Sequence, residues 1–581
     1  MPSVSWYITA LKGHLLKLSL FNTRRADAVS LPHEKGHAVL HTLLICCIAL
    51  AMYLPLIGDN PWNGNEPTRV AVAQDMLRTG NWITPTLHGK LYLTKPPLMN
   101  WLIAASGAIF GGIREWTSRL PSVFAMIATG LAVYFMTRQW LNRDSRFIAA
   151  IATISMTGLL KKGVSAEIDA LFILFVAVIL LVWLNGYTKG WRPVVLWGVS
   201  LFLVGIAFLT KGPHAAVFFY FTVSAYLLFR KRISFFFSKA HAAGIIIAFA
   251  VLLVYLSMVL QEITLSSYLD MWKMQITSRG SGRHADGFLQ HLVNYPPDAA
   301  MSFMPWVLLV LPVLLHRDLR ERARRLFKNE LAVFSLVMIA VNFPLYWLLP
   351  NAYVRYFLPA GPFIAIVIAM LVDSVVSYLQ ERPETGALAL KGVRVAAMLV
   401  CLAVPVIAGV ALAKGLKFSL LPGGAGLLIV LSSGGIVLRA GSIGFKNLAI
   451  PVALWVGLFS LLVADMNMQR MTMRGESPRQ AASDIKRLLP PGLPKVYEMG
   501  NRRILGVTCY LGREVVEVDD FGQLQDMNPC EQVYFLFDTD LLNNLDDWQR
   551  RQYEDLLWEK LSSARFEKGD NEIVLGRLKR F

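Results

Sequence analysis

Five ionisable residues stand where an apolar chain is not expected to keep them. Glu66 and Arg69 follow the first long apolar run, Lys95 lies a little further on, and Asp169 and Lys211 sit at the edges of later runs. If they share one surface, further candidates join them: Lys161, Lys162 and Glu167 beside Asp169, then Arg279, Arg283 and His284, then Arg355 and Tyr356 in "PNAYVRY". Cations gathered near carboxylates at a membrane surface bind an anionic head group such as a phosphate, arginine as a planar fork and lysine as a point charge. The blander reading is surface decoration, because a carboxylate at a span exit is usually a solvated cap. Which reading holds depends on the elements that carry these residues.

The chain has 581 residues, 55% of them hydrophobic and only 17% charged. A soluble chain carries nearer a quarter charged residues. The apolar excess falls in runs of roughly spanning length, about 20 residues per span, and lacks barrel alternation. A polytopic α-helical membrane protein follows, since helices and closed barrels alone satisfy the backbone in lipid. The net charge of +18 sits mostly in short loops, so it reads as topogenic charge and not as a nucleic-acid surface.

The runs lie near 42–58, 98–111, 117–137, 146–160, 167–186, 193–209, 214–229, 241–260, 302–316, 331–349, 356–378, 392–413, 422–438 and 447–466. If all of them span, "TRQWLNRDSR" and "RKRISFFFSKAH" fall outside, against the positive-inside rule. If 97–111, short for a span, is juxtamembrane or re-entrant, every later loop flips and the basic loops turn inward. The charge pattern therefore selects about thirteen spans with the N-terminus inside and the C-terminus outside. The same flip brings the listed carboxylates and cations to the outer face. Within the first loop, Arg69, Ala71, Ala73, Met76 and Leu77 suit an amphipathic helix on the membrane surface, and Pro96-Pro97 turns the chain after Lys95.

Residues 1–41 read as a cytoplasmic leader, 42–467 as the membrane region with an outer loop at 58–116, and 468–581 as a soluble α/β domain on the outside. In that last domain "KVYEMG", "ILGVTCYL", "EVVEV", "VYFLFD" and "EIVLGRL" read as β-rich, and "DDWQRRQYEDLLWEKLSS" as a helix. Five cysteines show no zinc spacing. Cys509 and Cys530 are able to pair if their domain is extracytoplasmic. "HEKGH" at 33–37 has the H-E-x-x-H form of a zinc protease, with His41 continuing the stripe. Pro32 and Gly36 weaken a long helix there, and no partner motif follows.

The first loop resembles the polyprenyl-phosphate-dependent membrane glycosyltransferases. That superfamily includes the dolichyl-phosphate-mannose protein mannosyltransferases and the bacterial transferases that put aminoarabinose on lipid A. Its first loop runs roughly Asp-Glu-x-Arg-Tyr-Ala, Met-Leu, x-Gly-x-Trp, x-Pro and Tyr-x-x-Lys-Pro-Pro-Leu, then a Trp. This chain has Glu66-Pro67-Thr68-Arg69-Val70-Ala71, Met76-Leu77, Gly80-Asn81-Trp82, Pro85 and Tyr92-Leu93-Thr94-Lys95-Pro96-Pro97-Leu98, with Trp101. "AEIDALFILF" supplies the acidic residue that the family keeps at the start of a later span, "LTKGP" its Leu-Thr-Lys-Gly, and "RYFLP" its Tyr-x-Leu-Pro signature. The chain departs at one place. The register that keeps Arg69 and Ala71 aligned sets Glu66 on the family's Asp and Pro67 on its Glu. The alternative, with Asn65 on the Asp and Glu66 on the Glu, is rejected because Arg69 and Ala71 then slip by one.

The resemblance implies an inverting transfer of a sugar from a polyprenyl phosphate to an envelope acceptor, on the outer leaflet of a bacterial inner membrane. A carboxylate acting as general base is worth typically 10²–10⁴-fold, and fixed cations stabilise the departing phosphate. On that reading Glu66 is the base with Asp169 as the second catalytic carboxylate. Arg69, Tyr92, Lys95, Lys211, Arg279, Arg355 and Tyr356 hold the phosphate, and Glu167, Arg283 and His284 lend support. The residues neither require nor forbid a divalent metal. The partners are the lipid-linked donor, membrane lipids and a lipid, glycan or protein acceptor. Competing readings stand beside these: Lys211 snorkelling, Asp169 as a helix N-terminal charge, and Arg355 and Tyr356 as interfacial anchors. A transporter of lipid-linked sugars without transfer chemistry is the alternative function, and it calls for charges at midplane.

Overall fold

The computed structural model describes residues 32–382 and 477–579, apart from 55–56, 59, 271–272, 274–286, 351, 500–501, 528–531, 544, 546 and 566–571. Arg279, Arg283, His284, Cys530 and the apolar runs 392–413, 422–438 and 447–466 lie outside the described residues. The rest is a helical region followed by a small mixed sheet.

Helix α1 runs Pro32–Tyr53. The expectation that Pro32 and Gly36 weaken a long helix here is overturned. Proline at the first helical position loses no hydrogen bond, and one glycine costs only about 1 kcal/mol. The side chains of His33, Glu34 and His37 lie outside the described residues. His41 is buried, with Nδ1 3.3 Å from the Tyr134 hydroxyl and its ring against Phe147.

Next come α2 (Glu66–Thr79), the two-stranded β1 (Thr86–Leu87) and β2 (Lys90–Leu91), and α3 (Leu98–Ile109). Helix α2 stops at Gly80, whose left-handed backbone returns its N–H to Met76 O. His88 and Gly89 both have positive φ, as a tight two-residue hairpin turn demands. Helix α3 has 12 residues, about 18 Å at 1.5 Å per residue, against a ~30 Å hydrocarbon core.

The membrane-length helices follow. They are α4 (Glu115–Met136), α7 (Asp169–Thr188), α8 (Pro193–Lys211), α10 (Lys239–Val259), α11 (Glu330–Trp347) and α12 (Gly361–Glu381). Among the described residues these six are long and apolar enough to cross a membrane; counting the pair Phe288–Ser302 and Trp306–Leu315, bent by 93°, makes up to seven. Between them lie α5 (Arg143–Ser155), α6 (Thr157–Gly163) and α9 (His214–Phe229). Helix α7 is the centre, 72% buried, while α10 is 11% buried and presents its apolar face outward. Helix α10 docks on α8 through glycines: a Cβ on Gly244 would lie 2.8 Å from Trp197 O, and one on Gly205 3.0 Å from Ala248 O. Small residues let helices approach where lipid offers no hydrophobic drive.

The C-terminal region has α13 (Pro478–Leu488), β3 (Lys495–Met499), α14 (Arg502–Thr508), β4 (Glu514–Glu517), β5 (Tyr534–Asp538), β6 (Trp558–Arg565) and β7 (Glu572–Leu578). The sheet order is β4-β3-β5-β7-β6, with β3 parallel to β4 and β5, and β7 antiparallel to β5 and β6. Two sequence expectations fail here. "ILGVTCYL" is mostly helical in α14, which packs against α13 and α2. "DDWQRRQYEDLLWEKLSS" is helical over Asp547–Asp555, then becomes β6, because pairing with β7 along its length outweighs local propensity.

Helix α2 also departs from expectation. An amphipathic surface helix was expected, yet ten of its residues, Glu66 to Ala73 with Asp75 and Met76, are buried. The C-terminal region covers its other side. Trp62, Val70 and Ala71 form one apolar cluster with Leu505 and Cys509. The Trp62 ring stacks on Tyr510 at 4.5 Å, and Trp62 N–H donates to the Tyr510 hydroxyl at 2.9 Å. The Cys509 thiol lies 3.3 Å from Pro67 O.

Candidate active site

Two groups of buried charge lie where α2, α4, α7 and α8 meet. The first is closed. Glu66, 1% exposed, accepts two bonds from Arg119, Nε to Oε1 at 2.8 Å and Nη2 to Oε2 at 2.8 Å. Its remaining lone pairs take the Ala166 N–H at 2.7 Å and the Asn63 N–H at 3.0 Å. Arg119 spends its other donors on the carbonyls of Ile57, Asn60 and Pro61. A general base needs a lone pair open to the acceptor. Glu66 has four donors on two oxygens and no solvent face, so this geometry does not suit it to be the base. It ties the loop before α2 to α4 and to the 165–167 segment instead.

The second group has positive charge to spare. Asp169, the first residue of α7, accepts from Lys211 Nζ at 2.6 Å and pairs with Lys162 at 3.4 Å. Lys162 also pairs closely with Glu167. Arg355 Nη1 is 3.9 Å from Glu167 Oε1. Asn65 Nδ2 approaches the same oxygen at 3.4 Å. Three cations thus face two carboxylates. Lys211 Nζ also lies 4.9 Å from the Phe172 ring and 5.0 Å from the Tyr356 ring. Arg355 sits over Tyr353 and Tyr356. Burial alone would lower the Arg355 pKa, but Asp169 and Glu167 outweigh it and raise it.

Local structure explains the placement. A carboxylate at the first residue of α7 is favoured by the helix dipole, so that reading of Asp169 and the ion-pair reading hold together. Asp169 opens α7, Lys211 closes α8, and Arg355 stands just before the span at Leu358. The charges therefore collect at helix ends. Gly64, at φ 60°, lets the loop pass 3.8 Å (from a would-be Cβ) from Glu167 Oε1.

One turn into α2, Arg69 donates its N–H to Asn65 O at 3.4 Å. Its Nη2 donates to the Tyr92 hydroxyl at 3.0 Å, while buried Nη1 has no hydrogen-bond partner. Lys95 is half-buried three residues after Tyr92, at the foot of α3. Among the candidates, the structure joins Asp169, Glu167, Lys211, Arg355 and Tyr356 directly, and pairs Arg69 with Tyr92. It separates Glu66 from both sets.

It is Asn65 that faces Glu167. Sequence reasoning missed Arg119, and it named Lys162 among the outer-face cations without giving it a role of its own. An arginine inside an apolar run was the available signal, since ionisable residues within spans are expensive and usually have a partner. Among the described residues no group of three or more His, Cys, Asp and Glu is arranged to hold a metal ion.

Comparison with known proteins now bears on this arrangement. The model of the dolichyl-phosphate-mannose-protein mannosyltransferase family matches residues 94–257, the stretch that carries Lys95, Arg119, Lys162, Glu167, Asp169 and Lys211. The chain is similar to an undecaprenyl phosphate-alpha-4-amino-4-deoxy-L-arabinose arabinosyl transferase of Pseudomonas savastanoi pv. phaseolicola. The two are 29% identical over 201 residues, 33% of this chain and 36% of that one. A second such transferase, from Proteus mirabilis, is 23% identical over 379 residues, 58% of this chain and 66% of that one. The fold matches that of ArnT from Cupriavidus metallidurans bound to undecaprenyl phosphate, with TM-score 0.64 and 16% identity over 93% of this chain and 98% of that one. The chain is thus similar in sequence to these transferases over part of its length and shares the fold of ArnT. The sequence matches to curated relatives span less than two thirds of those relatives' length, from 36% to 66% in these two. The likeness to ArnT covers both the helical region and the C-terminal sheet.

Proposed function

We propose that the chain is an inverting glycosyltransferase. It moves a sugar from a polyprenyl-phosphate donor to a lipid A, other lipid, glycan or protein acceptor at the periplasmic face of a bacterial inner membrane. About thirteen spans with the N-terminus inside accompany this reading, with the C-terminal domain in the periplasm. The observation that carries it is the cation excess at the helix ends: Lys162, Lys211 and Arg355 around Asp169 and Glu167.

The charge change in the reaction explains why that excess is useful. A polyprenyl-phosphate sugar is a phosphodiester. Breaking the bond from the anomeric carbon to the phosphate oxygen leaves a monoester with added negative charge. Fixed cations in a water-poor site favour that charge as it develops. Lys211 and Arg355 receive it, and Arg69 offers its unpartnered Nη1 beside Tyr92 and Lys95. Asp169 holds Lys211 and Lys162 in place. Glu167 Oε1, whose polar contacts are 3.4 and 3.9 Å long, takes the proton from an acceptor hydroxyl. Glu66 organises the loop through Arg119. Arg279 remains a phosphate ligand by resemblance alone, and Arg283 and His284 its supports.

The test is mass spectrometry of envelope lipids and glycans from a deletion strain, complemented with the unaltered gene or with Lys211→Ala. A sugar that is lost on deletion, restored by the unaltered chain and not by the variant is the expected result. Full restoration by Lys211→Ala, with protein levels matched, sinks the assignment. Purified chain that moves lipid-linked sugar across vesicles without transferring it sinks the reaction.

A further inference from the structure

Tyr92 and Lys95 follow directly on the β1–β2 hairpin, and the helical region alone does not hold that hairpin. From below, Asp75 of α2 accepts from Thr86 Oγ1 at 3.0 Å and from the Gly89 N–H at 3.3 Å. From above, the C-terminal region grips the tip. Buried His88 is bonded through Nδ1 to Glu498 of β3, also buried. The Glu517 N–H of β4 donates to His88 O at 3.0 Å. Lys90 pairs with Glu517 at 3.3 Å and with Asp519.

We propose that the C-terminal domain is a positioning element of the lipid-phosphate site: Glu498, through protonated His88, fixes the hairpin and with it Tyr92 and Lys95. This rests on the phosphate-binding role given to those two residues above. His88 touches no substrate and acts through the segment that follows it.

The groups around His88 make its proton matter. Glu498 faces it from β3, Glu517 from β4 and Asp75 from α2, all carboxylates. The Cys509 thiol lies close to Glu498 and Asp75, and its own pKa is pushed up by burial. Arg78 is committed to Asp75 at 3.3 Å and Glu514 at 2.7 Å. Arg513 donates to the Pro490 and Leu493 carbonyls. The second Glu498 oxygen is buried with no hydrogen-bond partner, so a neutral imidazole would leave that carboxylate buried without a counter-charge, the costly case for an ion pair. His88, Asp75, Arg78, Gln74 and Arg513 are among the residues that line a cavity of about 480 Å³.

Burial lowers the His88 pKa, but the bond to Glu498 and the surrounding carboxylates outweigh it and raise it. A raised value in the docked state stabilises docking fully below the ordinary histidine pKa of about 6.5. That stabilisation is lost as pH climbs through the raised value.

Hydrogen exchange of residues 86–95 and binding of undecaprenyl phosphate, both on the full chain in detergent from about pH 6 to about pH 9, test this. Protection factors at 86–95 should fall and the Kd for undecaprenyl phosphate should rise several-fold, in step. His88→Gln should bind weakly at every pH with no such response, and Glu498→Gln should flatten it. If neither variant folds, the titration of the unaltered chain decides. Flat protection across that range overturns the role of His88. Protection that falls while affinity holds overturns the positioning role. A chain that binds no undecaprenyl phosphate at any pH overturns the functional reading itself, and the exchange measurement still reports the docking separately.

Discussion

Glu66 and Asp169 are both buried carboxylates at the start of a helix, and both meet a cation within 2.8 Å. They differ in stoichiometry. Glu66 is matched by one guanidinium, with every lone pair filled by protein. Asp169 and Glu167 share three cations, and Arg355 meets Glu167 only at 3.9 Å. A closed pair is indifferent to any ligand. A group with positive charge in excess is, on the proposed reading, completed by the donor's phosphate. Burial and ionisable type alone therefore do not separate scaffold from site; the count of charges and lone pairs does.

The comparison breaks most readily at Arg119. Arg119→Ala leaves Glu66 as an unpaired buried charge, expected to cost about 3–5 kcal/mol, read as a large drop in thermal midpoint in detergent. A variant that melts normally yet fails to turn over would move Glu66 back into the chemistry. Lys211→Ala should show the opposite profile, with kcat down about 10²–10³-fold and a smaller loss of stability, since Lys162 still faces Asp169. Steady-state kinetics beside a melting curve separates the two. Arg355→Ala, on the half-exposed rim, should weaken donor binding about tenfold, near 1.4 kcal/mol, in a titration with undecaprenyl phosphate. The smallest effect belongs to Tyr510→Phe. It removes the acceptor for the Trp62 N–H while keeping the ring stack, for about 1 kcal/mol in the same melting assay.

Much of this was legible beforehand. The apolar runs and the basic loops gave a polytopic helical bundle, and the short helix at Leu98–Ile109 has the length expected of a non-spanning segment. "AEIDALFILF" and "LTKGP" pointed to Asp169, Glu167 and Lys211, which the fold does join. Helix ends are readable because their residues change type abruptly there. The clamp on Glu66 was hidden because its partner, Arg119, lies 53 residues away in sequence. No local pattern distinguishes a carboxylate facing a cleft from one clamped by a distant guanidinium. The burial of α2 was hidden for the same reason, since its cover comes from Leu505, Cys509 and Tyr510. In the sheet, β6 was taken for helix because its partner strand, and not its own composition, decides its state.

The docking of that sheet has one more consequence. Open sheets with parallel strands offer their ligand crevice at the carboxyl ends of those strands. Here the carboxyl ends of β3 and β4, at Glu498 and Glu517, receive His88 and Lys90 of the chain's own hairpin. The C-terminal domain is, in effect, a receptor whose ligand is tethered to the same polypeptide. Tethering turns recognition into an intramolecular event governed by effective concentration. On the proposal above, the hairpin's seat then depends on the charge of one imidazole, since His88 is the buried counter-charge of Glu498.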